Sequence, residues 1–73
     1  MAEKKYWAGS VGEIDDFGDK ITDVFYDGKT GIGPWAIMTP KSFHEYSFGG
    51  HVGEGYAQKY EKQEDGRWLK VEG

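Results

Sequence analysis

The chain has 73 residues, no Cys, 13 acidic against 9 basic side chains and a formal net charge of −4. That length holds one hydrophobic core, so residues 1–73 are expected to form a single domain ordered over about 4–72, and the missing Cys excludes disulfides and thiolate metal sites. No apolar run reaches the roughly 18 residues of a transmembrane helix, and Met1-Ala2-Glu3-Lys4-Lys5-Tyr6 carries no signal-peptide stretch, so a cytoplasmic location is expected.

Residues 4–8 read as a short strand ended by Gly9-Ser10, and residues 13–19 as a tight acidic turn. Ile21-Thr22-Asp23-Val24-Phe25-Tyr26 is rich in β-branched and aromatic residues. Asp27-Gly28 after it predicts a hairpin turn with a return arm over 29–38. Thr39 fits a helix N-cap and Pro40 the first helical position, while the Ser42–Glu45 spacing would start the helix three residues later. Gly49-Gly50 closes that helix after about two turns. Residues 56–62 and 67–71 predict a second hairpin around Gln63-Glu64-Asp65-Gly66, with Tyr56 and Tyr60 on one face. Aromatics make up 16% of the chain and are spread along its whole length, which argues for a folded, aromatic-rich core rather than disorder.

Glu13, Asp15, Asp16, Asp19, Asp23 and Asp27 crowd one stretch in which Lys20 is the only cation. The spacing of a calcium loop is absent. The stretch is either a solvated face with turn-forming Asp residues or a patch docking a basic partner through Asp15, Asp16, Asp19 and Asp23. In the last predicted hairpin Lys59, Lys62, Arg67 and Lys70 alternate with Tyr56, Tyr60 and Trp68, a pattern that could stack nucleic-acid bases. Glu61, Glu64, Asp65 and Glu72 cancel that charge, and the three aromatics could equally be core. His44 and His51 are a poor metal set without Cys. Gly50-His51-Val52-Gly53 matches a GxxG loop in letters alone. Neither a nucleophile elbow nor a phosphate-loop ending occurs, so an enzyme is not expected.

Ile14 and Phe17 stand two residues apart before Gly18; Thr39 and Ser42 stand two apart around Pro40. With Cys at these four positions the chain would carry four-Cys zinc spacing. From Tyr6 onward, through Thr22–Thr30, Gly33-Pro34-Trp35-Ala36 and Gln58–Gly73, the chain resembles small zinc-ribbon-like proteins of phages and prophages, with all four ligands replaced. The resemblance implies an α+β, zinc-ribbon or treble-clef-like domain of two β-hairpins and one short helix, with no metal and no cofactor. Ile14 and Phe17 are expected to fill the metal's place, and Thr39 and Ser42 to cap the helix beside them. The implied role is a small non-enzymatic binding or adapter protein of phage or prophage origin, acting through protein contacts in a bacterial host's cytoplasm. The alternative is a nucleic-acid-binding module using Tyr56, Lys59, Tyr60, Lys62, Arg67, Trp68 and Lys70.

Overall fold

The computed structural model describes residues 4–53 and 55–73. The expectations for Met1–Glu3, and for Glu54 in the glycine-rich link, lie outside them. The fold is α+β: one four-stranded antiparallel sheet and one short helix. In chain order the elements are β1 (Val24–Lys29), β2 (Trp35–Met38), α1 (Pro40–Tyr46), β3 (Ala57–Lys62) and β4 (Trp68–Glu72). The sheet order is β2-β1-β3-β4. β1 thus pairs with both β2 and β3, and what read as two separate hairpins is a single sheet.

Asp27-Gly28 is not a turn. Both residues lie inside β1, where Gly28 faces Ala57 across the ladder. A Cβ on Gly28 would stand 2.4 Å from the Ala57 Cβ and 2.8 Å from the Tyr56 carbonyl oxygen. Glycine is needed there for close strand approach. The chain turns later, over 30–34, where the N–H and Oγ1 of Thr30 both donate to the Pro34 carbonyl at 3.2 and 2.8 Å. The last turn falls where expected: Gln63 N–H donates to Arg67 O at 2.7 Å, between β3 and β4.

α1 begins at Pro40 with Thr39 as N-cap, the Thr39 side chain accepting from the Ser42 N–H, so the later start at Ser42 is not used. It ends at Tyr46, and Ser47 N–H still reaches Phe43 O at 3.1 Å before the glycine pair. The helix packs on one face of the sheet: Phe43 stacks on Tyr26 with ring centroids 4.0 Å apart, above Ala36, Met38 and Ala57, with Phe17 and Val52 at the margin. A second aromatic cluster holds Trp7, Phe25, Tyr60 and Trp68. In it Trp7 lies 5.3 Å from Phe25 and 5.4 Å from Tyr60, and Trp68 lies 4.9 Å from Phe25. Phe25 and Tyr26 alternate along β1, so the two clusters occupy opposite faces. Tyr60 and Trp68 are therefore half-buried in the second cluster, whereas Tyr56 falls outside β3 and is 43% exposed.

The expected strand over 4–8 is reduced to a bridge between Tyr6 and Leu69, flanked by Trp7 N–H to Trp68 O at 2.9 Å and Lys70 N–H to Lys5 O at 2.8 Å. It runs along the free edge of β4. At the opposite edge Asp16 covers β2: its N–H donates to Ile37 O at 3.1 Å and its carboxylate accepts from Ile37 N–H at 2.8 Å. Lys5, Tyr6, Trp7 and Asp16 thus shield both edges, which otherwise offer unpaired backbone groups to other chains.

Candidate functional site

The acidic turn is a structural joint. Asp15 is 5% exposed. Its Oδ1 accepts from the N–H groups of Phe17 and Asp19 at 2.9 and 2.8 Å, and its Oδ2 from Thr39 N–H at 2.9 Å. Burial works to raise the Asp15 pKa, but the Ser42 hydroxyl and the amides of Thr39, Asp19 and Phe17 outweigh it and lower the group to about 2. Asp19 accepts from the Thr39 hydroxyl, Asp16 accepts from Ile37, and Asp23 accepts from its neighbour Thr22. Each of the four carboxylates expected to meet a partner thus takes a bond from within the chain.

The turn does meet Thr39 and Ser42, but not through Ile14 and Phe17. Ile14 is 62% exposed and so fills no buried metal's place. Phe17 is half-buried and stacks on Tyr46 at 4.1 Å. Ser42 and Thr39 are both buried. Among the described residues no group of three His, Cys, Asp or Glu side chains is placed to hold a metal ion.

The seven residues considered for nucleic-acid contact are dispersed. Tyr60 sits in the aromatic core. Lys59 reaches over the Tyr26 ring on the helix side and lies 4.0 Å from Glu61. Arg67 covers the Tyr6 ring at 4.1 Å and pairs with Asp65 at 2.8 Å. Lys70 Nζ points to the Gly73 carbonyl at 3.4 Å. Lys62 and Trp68 line a common hollow.

Two features that sequence reading did not single out are the most site-like. The first is an exposed ring cluster at one end of the sheet. Lys29 faces Trp35 across β1 and β2 and holds its ammonium 4.6 Å from the Phe48 ring centroid. Phe48 lies 6.2 Å from Tyr56, and Tyr56 lies 5.2 Å from His51. Trp35, Phe48 and Tyr56 are 49, 44 and 43% exposed. Backbone bonds brace the cluster: Phe48 N–H donates to Lys29 O at 3.0 Å, and Lys29 N–H to Tyr56 O at 2.7 Å. The signal was present in Phe48 directly before Gly49-Gly50 and in Trp35 opening a four-residue strand at the sheet's edge.

The second feature is a groove of about 750 Å³ between the 9–14 segment, residues 20–22 and the β3–β4 end, lined in part by Gly9, Gly12, Lys20, Lys62 and Trp68. Among the described groups Asp27 is electrostatically unusual. Burial first, and then the charge of Asp16, raises its carboxyl pKa, and Asp27 in turn helps burial raise the Tyr60 phenol. No helix among the described residues is long and apolar enough to cross a membrane. No family model, curated protein or solved structure matches the chain.

Proposed function

We propose that the chain is a small non-enzymatic binding protein that acts through protein contacts made by the Lys29–Trp35–Phe48–Tyr56 end of the sheet. The carrying observation is the exposure of three large rings at one end of the sheet, with Phe48 between the Lys29 ammonium and Tyr56 and with Trp35 opposite Lys29 in the ladder. Exposed clustered aromatics mark interaction surfaces, and Trp and Tyr supply a disproportionate share of interface energy. Rings braced by backbone bonds are already ordered, so docking loses little conformational entropy.

The partner is a protein presenting aliphatic side chains to the rings and a carboxylate to Lys29. A basic partner docking on the acidic turn is less well supported, since Asp15, Asp16 and Asp19 are occupied by Phe17, Ile37 and Thr39. The phage or prophage origin suggested by the sequence resemblance belongs to this proposal and would place the partner in a bacterial host. Support for treble-clef-like descent comes from the meeting of the 15–19 turn with Thr39 and Ser42.

The test is a triple variant, Trp35→Ser, Phe48→Ser and Tyr56→Ser. It should keep the wild-type circular-dichroism spectrum and lose a one-to-one complex whose contacts map by amide exchange to 29–35 and 48–56. A partner retained by that variant but lost by Asp16→Lys with Asp23→Lys would overturn the reading in favour of the acidic turn. Concentration-dependent self-association of the wild type through the same rings would show that the surface serves a second copy of the chain instead.

A further inference from the structure

The groove is independent of the ring cluster and has its own chemistry. Its floor and walls include Ile21, Ile14 and Trp68, its rim carries Lys20 and Lys62, and Glu13 is its one acidic lining residue. Lys20 and Lys62 are exposed, and neither has a salt-bridge partner among the described residues. The backbone adds further donors. Ile21 N–H is used on Glu13 O at 2.9 Å, but among the described residues the amides of 8–12 donate to no protein acceptor. Gly9 has φ +88°, and beyond its chain neighbours no described atom lies within 4 Å of the point where a Cβ would stand. An aromatic ring, two unpaired ammonium groups and a run of free amides together suit a ligand with a flat base and an anionic phosphate.

We propose that this groove binds a nucleoside phosphate, its base against Trp68 and its phosphate held by Lys20, Lys62 and the 9–12 amides. The local charge of two Lys against one Glu is weakly positive within a chain of net charge −4, so binding is modest and strongly salt-dependent. The nucleotide could be free or part of a single strand, and the two sources share this chemistry.

The experiment uses the full chain and adenosine 5′-monophosphate, adenosine, inorganic phosphate and a short single-stranded oligonucleotide, each titrated at low salt with amide and indole NMR shifts as readout. The monophosphate should shift residues 9–14, 20–22 and the Trp68 indole saturably, with adenosine or phosphate alone binding at least about tenfold more weakly. Lys20→Glu with Lys62→Glu should weaken monophosphate binding by at least about tenfold and leave the rest of the spectrum in place, since both side chains are exposed and half-buried Trp68 is left unchanged. An oligonucleotide binding more than about tenfold tighter than the monophosphate identifies a strand as the source; equal affinity identifies the free nucleotide. Shifts confined to the ring cluster, no saturable shift at millimolar monophosphate, or unchanged binding by the double variant would overturn the proposal.

Discussion

Asp15 shows how much one side chain can carry. Three backbone amides converge on a carboxylate that is almost wholly buried. Its pKa of about 2 in the fold, against about 3.9 in an unfolded chain, corresponds to about 2–3 kcal/mol of stability. Because the folded pKa is depressed, that contribution is present above the unfolded value and is lost as pH falls from about 4 to about 2. Asp15→Asn should therefore be less stable at neutral pH, since an amide nitrogen cannot accept from Thr39 N–H, and should lose this part of the acid transition. Urea melts of both proteins between pH 2 and 7 check it; parallel pH profiles would refute it. Thr39→Ala removes the cap and the bond to Asp19 together and should cost about 0.5–2 kcal/mol in the same assay.

Within the sheet, β1 and β3 are the two strands paired on both sides, and they approach each other at Gly28 and Ala57. Gly28→Ala would push a methyl group into the Ala57 Cβ and the Tyr56 carbonyl and should cost about 1–3 kcal/mol, seen as a lowered melting temperature. One residue earlier, Asp27 carries an opposite penalty. Burial, then Asp16, raises its pKa in the fold, so its contribution is most favourable below the unfolded pKa and is lost as pH rises through the folded one. Asp27→Asn should accordingly raise the melting temperature at pH 7 and leave it little changed at pH 3. An equal effect at both pH values would mean that packing, not charge, sets the difference.

For the molecule as a whole, the N-terminal stretch protects both edges of the sheet. Lys5 and Trp7 bond along β4, Asp16 bonds along β2, and Trp7 also completes the aromatic cluster around Phe25. Deleting residues 1–8 should expose the β4 edge, remove Trp7 from its contacts and make the chain self-associate. Light scattering across a concentration series, with the full chain beside it, checks this. A truncated chain that stays monomeric at full stability would show that β4 needs no cover.

Local stereochemistry is legible in the residues themselves: Thr39-Pro40 starts a helix, Gln63–Gly66 turns the chain, and an aromatic-rich sequence without Cys builds its core from rings. These depend on neighbours within a few positions, where propensity and hydrogen-bond geometry decide. Asp27-Gly28 misleads because the same dipeptide suits a turn and a close strand contact, and only Ala57, twenty-nine positions away, selects between them. Ile14 misleads likewise, since spacing shows that two segments could meet but not which side chains face inward. The inward residue is Asp15, held by Thr39 and Ser42. The ring cluster and the groove are assembled from segments far apart in the chain, Lys29 with Phe48 and Tyr56, and Lys20 with Lys62 and Trp68. Which polar groups are buried and which rings stay exposed is decided by long-range pairing in the sheet, because burial is a property of the packed whole and not of any single stretch of sequence.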